Sequence, residues 1–157
     1  MADYDRLKKQ IEGDILHSTF DRGRYATDAS IYQIMPQAVL IPKTWHDVEA
    51  ALDFVKAEGI SLLPRGGGTS QSGQTVNDAL VIDFTKHLNN ILDYDADVGT
   101  ATVQPGLVLD NLNRQLKSDG WWYPVDVSTA SRATLGGMAA NNSCGSRSIR
   151  YGKMQDN

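Results

Sequence analysis

The chain has 157 residues, of which 41% are hydrophobic and 22% are charged, a composition typical of one soluble globular domain or part of one. Its formal net charge of -4, with 15 Lys and Arg scattered along the sequence, argues against a nucleic-acid partner. No apolar run approaches the ~20 residues of a membrane span, and the single Cys144 excludes an internal disulfide. We therefore expect a protein without a membrane span, located in the cytoplasm.

The first part of the chain predicts little regular structure. Residues 3–11 have the pattern of a polar amphipathic helix, and residues 21–36 form a loop-rich stretch in which Tyr25, Ile31 and Tyr32 are candidate anchors. We treat residues 1–35 as an N-terminal helix and approach segment, and residues 36–157 as the N-terminal part of the main domain.

A strand, a helix and a second strand follow from residue 38. The apolar run AVLI at 38–41 is closed by a proline and predicts a buried strand. Apolar residues then recur at helical spacing behind Thr44, which can cap the helix, and Gly59 can end it. With a strand at 60–63, these elements predict a β-α-β unit with parallel pairing and a right-handed crossover.

Three short strands are predicted next, at residues 79–84, 91–94 and 100–103, and they suggest a meander. A second helix is predicted after Gly106, with Leu109, Leu112 and Leu116 on one face and Gly120 after its last turn. The predicted class is α+β with a mixed sheet and flanking helices. Residues 151–157 carry no signal that ends a domain, so we expect the domain to be truncated at the C-terminus of this sequence.

The first glycine-rich segment, residues 64–74, reads PRGGGTSQSGQ directly after a predicted strand. Three consecutive glycines let backbone amides approach an anion closely, and Thr69, Ser70 and Gln74 add polar side chains. A flexible turn is the alternative. The segment lacks the Lys-Ser/Thr of a phosphate-binding NTPase loop, and it leads into a strand, whereas a Rossmann fingerprint opens a helix.

The second glycine-rich segment, residues 128–152, reads STASRATLGGMAANNSCGSRSIRYG. It is dominated by small residues and has no acidic residue, a combination that suits an anionic ligand. Close helix packing through Gly136, Ala139 and Ala140 would explain the same residues without any ligand, and both interpretations stay open at this point.

The combination of PRGGGTSQSGQ, VQPG and ATLGGMAANNSCGSRSIRYG resembles the FAD-binding domain shared by vanillyl-alcohol oxidase and p-cresol methylhydroxylase. Within that superfamily, SxxRATLGGM and RYGK resemble the D-2-hydroxy acid dehydrogenase branch, which includes D-lactate, glycolate and D-2-hydroxyglutarate dehydrogenases. SIYQ, RGGGT and STxxRATLGGM are similar to the large bacterial enzymes of that branch, which add a C-terminal iron–sulfur region.

The resemblance implies two sets of FAD-binding residues. The first loop would wrap the pyrophosphate with main-chain amides, with Gly67 and Gly68 closest to it, and the second segment would complete the site and approach the ribityl chain or isoalloxazine. The implied residues are Arg65, Gly66, Gly67, Gly68, Thr69, Ser70 and Gln74 in the first set, and Thr129, Thr134, Gly136, Gly137, Ala140, Asn141, Ser143 and Gly145 in the second.

The sequence departs from many relatives at the residue that attaches the flavin. Thr69 occupies the position of the histidine that forms the covalent bond, so the resemblance implies non-covalent FAD. Cys144 does not match the position of a linking cysteine, and we expect a buried, inert thiol there. We expect His46 and His87 to be solvated or to cap local structure.

The resemblance implies oxidation of a small-molecule D-2-hydroxy acid to a 2-oxo acid, with electrons passing to a separate acceptor. It also implies an iron–sulfur cluster in a C-terminal region beyond this sequence. No catalytic residue or metal ligand is assigned, because relatives carry these groups in a later cap domain. The fold could instead serve a cell-wall precursor reductase, a molybdenum hydroxylase subunit or a flavin-free binding module. An unpaired sheet edge would favour a dimer of this chain alone.

Overall fold

The computed structural model describes residues 2–157, which form six helices, six strands and two single 3₁₀ turns. In chain order the elements are α1 (Tyr4–Lys8), β1 (Asp14–Leu16), α2 (Thr19–Gly23), β2 (Ala38–Ile41), α3 (Trp45–Glu58), β3 (Leu62–Arg65), β4 (Leu80–Asp83), β5 (Ile91–Asp95), β6 (Thr100–Val103), α4 (Leu109–Leu116), a 3₁₀ turn (Lys117–Asp119), α5 (Leu135–Ala140), α6 (Ser148–Tyr151) and a second 3₁₀ turn (Met154–Asp156). Among these residues, no helix combines the length and apolar character needed to cross a membrane.

Four strands form one mixed sheet in the order β1-β2-β4-β3. β4 pairs in parallel with both β2 and β3, while β1 pairs antiparallel with β2. Every residue of β2 and β4 is buried, which explains why these two central strands have consecutive apolar residues rather than alternating ones, with Asp83 at the end of β4 as the exception. The α+β class with a mixed sheet is therefore confirmed.

The sheet differs from the predicted order in one important respect. The strands of the β-α-β unit, β2 and β3, are parallel as predicted, but β4 lies between them. The predicted meander is wrong, because β4 belongs to this sheet and only β5 and β6 pair with each other, as an antiparallel hairpin. Sequence spacing could not reveal this order, since β4 inserts between two strands that precede it in the chain.

The N-terminal region is more ordered than the sequence predicted. α1 is shorter than the predicted helix at 3–11, and β1 and α2 were not predicted at all. The second strand of the β-α-β unit runs two residues later than predicted. Of the proposed anchors, Tyr25 donates a hydrogen bond to Asp83 at 2.7 Å, but Ile31 is 95% exposed and anchors nothing.

Two hydrophobic cores support the two glycine-rich segments. The first packs α1 and α3 onto the mixed sheet, and Phe54, Leu40 and Ile82 are among its buried members. The second is built by the apolar face of α4, whose Leu112 and Leu116 pack with residues of α5 such as Met138. The first core therefore carries the loop after β3, and the second carries α5.

A buried carboxylate, Asp47, ties the start of α3 to the turn before β1. Its two oxygens accept hydrogen bonds from four backbone amides, those of Glu12 at 2.9 Å, Gly13 at 3.0 Å, Lys43 at 2.7 Å and Thr44 at 3.2 Å. Thr44 caps α3 in return, which completes the predicted cap. Burial alone would raise the pKa of Asp47, but these amide bonds outweigh it and hold the pKa below its ordinary value of 3.8.

We predict that Asp47→Asn lowers the free energy of unfolding by about 2–3 kcal/mol at neutral pH, because the amide group turns a donor toward backbone N–H groups. Since the folded pKa lies below the unfolded one, the carboxylate stabilises the wild type fully above about pH 4 and progressively less below it. Urea unfolding at neutral pH and below about pH 4 should show that the difference in free energy of unfolding between wild type and variant is smaller in acid. The exposed Asp53→Asn on the same helix is the control, and an equal effect of both variants would contradict the assignment.

Candidate functional site

The two glycine-rich segments come together at one cavity of about 80 Å³, although the 53 residues from 75 to 127 separate them in the sequence. The first segment leaves β3 and enters the cavity as a loop, and the second reaches it at the start of α5. The cavity is lined by Gly66, Gly67, Gly68, Thr69, Ser70, Thr75, Val127, Thr129, Ala133, Thr134, Gly137, Met138, Asn141 and Ser143.

The two segments touch through backbone that has no room for a side chain. A methyl group at Gly66 would overlap the hydroxyl oxygen of Thr134, and one at Gly67 would overlap the carbonyl oxygen of Arg132. These two glycines are therefore required by the approach of the second segment onto the first loop. The sequence suggested close approach of a ligand as the reason for glycine here, whereas the structure gives a contact within the protein.

The first loop offers a row of free hydrogen-bond donors. Within residues 2–157, the backbone amides of residues 66–70 donate to no other residue. The loop is held by its own polar side chains, because the hydroxyl of Ser70 donates to Gln74 at 2.8 Å and accepts from the amide of Ser72 at 3.1 Å. Consecutive free amides in a glycine-rich loop form the concave donor surface that binds anions in many proteins.

The second segment is fixed by α5 and its cap. Thr134 is 2% exposed and its hydroxyl accepts a hydrogen bond from the amide of Gly137 at 3.3 Å. The amides of Leu135 and Gly136 donate to Leu107 and Pro105 at 2.8 and 2.9 Å, which ties α5 to the turn before α4. The hydroxyl of Thr134 thus serves the helix itself at the wall of the cavity.

Most of the residues predicted from the sequence line this cavity. Those that line it are Gly66, Gly67, Gly68, Thr69, Ser70, Thr129, Thr134, Gly137, Asn141 and Ser143, and those that do not are Arg65, Gln74, Gly136, Ala140 and Gly145. Whether any of them contacts FAD stays a prediction.

The residues outside the cavity have other neighbours. Arg65 binds backbone carbonyls behind the loop, and Gln74 is exposed and bonded to Ser70. Gly136 packs against Pro105, as the alternative of close packing anticipated, and Ala140 is exposed. Gly145 lies so close to Asp126 that a side chain there would overlap it.

Four lining residues were not singled out from the sequence: Thr75, Val127, Ala133 and Met138. Ala133 and Met138 lie inside the RATLGGM motif, so the motif that indicated the site already included them. Thr75 directly follows the predicted loop, and its hydroxyl was a signal that could have been used. Nothing in the sequence distinguishes Val127 from an ordinary core residue.

The single cysteine and two of the histidines lie outside the cavity. Cys144 is exposed, so the expectation of a buried thiol was wrong, since the turn after α5 carries it to the surface. His46 is solvated, with its ring 3.9 Å from Glu49. His87 is half-buried rather than solvated, and its Nε2 makes no hydrogen bond within residues 2–157.

The cavity is polar but carries no charged side chain among its lining residues. Its donors are hydroxyls, one carboxamide and the backbone amides of the loop. Such a wall can bind an anion through the fixed dipoles of its N–H and O–H groups, without a charged side chain that neutralises the anion.

A larger, apolar groove of about 960 Å³ lies on the other side of α5, between that helix and the β5–β6 hairpin. Six of its twenty lining residues are aromatic, among them Tyr94, Trp121, Trp122 and Tyr151. Trp121 and Trp122 are 43% and 39% exposed. The groove therefore presents apolar surface that is only partly covered within the described chain.

Comparison with known proteins identifies the family. Residues 36–157 match a family described as FAD binding domain, which covers most of the chain. The chain belongs to this FAD-binding domain family. The resemblance predicted from the sequence is thus confirmed, and FAD as the cofactor is confirmed at the level of the family.

The relatives of this FAD-binding domain are much longer proteins. D-2-hydroxyglutarate dehydrogenase of Haemophilus influenzae is 40% identical over 158 residues, a match that covers 98% of this chain and 15% of that protein. The glycolate oxidase subunit GlcD of Bacillus subtilis is 36% identical and is covered over 32% of its length. The chain therefore spans between a seventh and a third of the length of these relatives.

A solved structure supports the fold itself. Alkyldihydroxyacetonephosphate synthase superposes on 98% of this chain with a TM-score of 0.84, at 23% sequence identity and over 30% of that protein's chain. At this identity the likeness concerns the fold alone. It confirms that the described elements are arranged as in a known protein fold.

We predict that Gly137→Ala separates folding from binding. The added methyl would lie 3.2 Å from the Thr134 hydroxyl at the cavity wall, while a helical alanine is more favourable than glycine by about 1 kcal/mol. Calorimetric titration of the full-length apoprotein should show FAD affinity lowered about tenfold, and urea unfolding should show stability that is unchanged or higher. Gly23→Ala, which meets open space at the end of α2, should change neither affinity nor fold. Unaltered FAD affinity in the Gly137 variant would contradict the position of the site.

Proposed function

We propose that the cavity between the two glycine-rich segments holds the pyrophosphate of FAD. The observation that carries this proposal is the row of free amides at residues 66–70, which belong to the wall of a cavity that hydroxyl-bearing side chains also line. A pyrophosphate needs many hydrogen-bond donors in a small volume, and the backbone amides and hydroxyl groups of this wall can supply them. FAD is the ligand of choice because the family match supports it.

The size of the cavity supports a contact with the middle of the cofactor only. Pockets that enclose a drug-sized ligand measure about 300–1,000 Å³, whereas this cavity measures about 80 Å³. The described residues would therefore hold the two phosphates, and the flavin and adenine would extend from the cavity in opposite directions. The ribityl chain would leave past Asn141 and Ser143, which line the cavity at the end of α5.

We propose further that the complete protein oxidises a D-2-hydroxy acid to a 2-oxo acid. The relatives named for D-2-hydroxyglutarate, glycolate and D-lactate oxidation support this substrate class. When bound, FAD supplies the hydride acceptor at its flavin ring. The residues described here bind and orient the cofactor, and none of them is proposed to touch the substrate. A separate electron acceptor, an iron–sulfur cluster in a later region and a cytoplasmic location remain part of the proposal.

The substrate proposal is tested with the full-length holoprotein under anaerobic conditions. We expect D-2-hydroxyglutarate, D-lactate or the achiral 2-hydroxy acid glycolate to bleach the visible absorption of the bound flavin. For the first two acids, the L-enantiomer in equal amount is the matched control and should leave the spectrum unchanged. A flavin that is reduced by dithionite but by none of these acids would contradict the proposed substrate class.

The bound FAD is proposed to be non-covalent, because Thr69 lies in the loop where relatives that link the flavin have histidine and a hydroxyl does not form that bond in the family. Acid precipitation of the yellow holoprotein should release all of the flavin into the supernatant. Colour that stays with the precipitated protein would show that another residue forms a covalent link.

A dimer of the 157-residue chain on its own is also proposed. The β5–β6 hairpin is a two-stranded sheet with unpaired edges, and the apolar groove beside it carries the partly exposed Trp121 and Trp122. A second copy can cover both features at once. Light scattering of the isolated chain should give twice the monomer mass of 17.2 kDa, and a monomer at high concentration would contradict this.

A further inference from the structure

A short stretch before the family match contacts the glycine-rich loop directly. Residues 25–30 precede the matched region of 36–157, and none of them belongs to a strand of the main sheet. The amide of Ala29 nevertheless donates to the carbonyl of Gly68 at 3.1 Å, in the middle of the row of free amides. The family match therefore leaves out a part of the chain that touches the proposed binding loop.

Arg65 joins this stretch to both ends of the loop. It is the last residue of β3, and its guanidinium donates to the carbonyls of Tyr25 at 3.2 Å, Thr27 at 2.8 Å and Thr75 at 2.9 Å. The guanidinium also lies over the ring of Tyr25, 5.4 Å from its centroid. A methyl group at Gly68 would lie 2.7 Å from the same guanidinium, so the loop folds directly over it.

Asp28 binds Thr75, the residue at the C-terminal end of the loop. One of its oxygens accepts from the amide and the hydroxyl of Thr75 at 3.3 and 2.9 Å, and the other accepts from the amide of Ser30 at 2.8 Å. Burial alone would raise the pKa of Asp28, but the bonds from Ser30 and Thr75 outweigh burial and lower it. Asp28 is therefore a carboxylate at neutral pH, and Thr75 is bonded by both charged side chains.

A glycine-rich loop needs such support if it is to bind an anion well. Ordering one residue of free backbone costs about 1–2 kcal/mol, and a ligand that orders the loop on binding loses that amount of affinity. The loop between β3 and Thr75 contains no regular secondary structure, so its conformation depends on contacts such as these, together with the bonds of Ser70 within the loop. A loop that is already ordered in the free protein presents its amides at no further cost.

We propose that Arg65 and Asp28 are positioning residues that hold the loop of residues 66–75 in its binding conformation, and that residues 25–30 are thereby part of the cofactor site. This inference rests on the proposed FAD-binding function. It also assigns Arg65 a place behind the loop, where its charge is bonded to three backbone carbonyls rather than directed at the cofactor.

Two substitutions separate positioning from simple charge attraction. Asp28→Asn removes a negative charge near a site for an anion, so attraction alone would strengthen FAD binding, whereas lost positioning weakens it. Arg65→Lys keeps the positive charge but cannot reach three carbonyls with a planar fork, so attraction alone would leave affinity unchanged. The matched controls are Asp21→Asn and Arg24→Lys, which alter an exposed ion pair of 2.9 Å next to the same stretch.

The experiment measures FAD dissociation constants of the full-length apoprotein by flavin fluorescence, and the ³¹P NMR resonances of bound FAD. We expect Asp28→Asn and Arg65→Lys to raise the dissociation constant tenfold or more and to shift the pyrophosphate resonances, with the controls matching the wild type. Circular dichroism checks the fold of each apoprotein. If Asp28→Asn does not fold, Arg65→Lys alone decides the outcome.

Failure of this inference differs from failure of the proposed function. If the wild type binds no FAD, or its bound FAD gives pyrophosphate resonances identical to those of free FAD, the proposed function is wrong. If the wild type binds FAD but both variants keep its affinity and its ³¹P spectrum, the positioning role is overturned while the function stands. Tighter binding by Asp28→Asn would also overturn it.

Discussion

Direct backbone contact between two distant segments is the constraint on which the candidate site depends. At Gly66 and Gly67 the first loop lies so close to Thr134 and Arg132 that neither position has room for a Cβ atom. Any other residue would push α5 away from the end of β3 and open the cavity. The site is therefore a property of how two cores meet, and neither glycine-rich segment contains it alone.

The two cores give that contact its rigidity. On one side, the loop emerges from a strand paired with the fully buried β4, and on the other, α5 is held by two backbone bonds to the turn before α4. Such close packing leaves little freedom for the segments to separate. The amides of residues 66–70 are then fixed dipoles, and an anion can bind them without a charged side chain in the cavity wall.

Local signals in the sequence predicted the individual elements well. The Thr44 cap, the left-handed Gly59 and the leucine spacing of α4 all depend on residues within one or two turns, and each appears as predicted. The place of β4 between β2 and β3 could not be predicted in this way. Parallel strands are joined by crossovers of variable reach, so their order depends on tertiary packing rather than on neighbouring residues.

The candidate site was predicted only in part, because some of its features also depend on tertiary packing. The glycine motifs marked both segments, and most of their predicted residues line the cavity. The reason for Gly66 and Gly67, and the position of Gly145 against Asp126, depend on contacts across the fold that no spacing reveals. The support of the loop by Asp28 was missed because that residue looks like an ordinary loop aspartate in the sequence.

Hydrogen–deuterium exchange of the full-length protein, with and without FAD, tests the central claim most directly. Residues 66–70 have amides with no partner in the described chain, so they should exchange rapidly in the apoprotein. On addition of FAD, we expect strong protection of this loop together with protection of residues 134–143, in the same concentration range. FAD binding that leaves both segments as exposed as before, or protects only one of them, would contradict a single pyrophosphate site formed by the two.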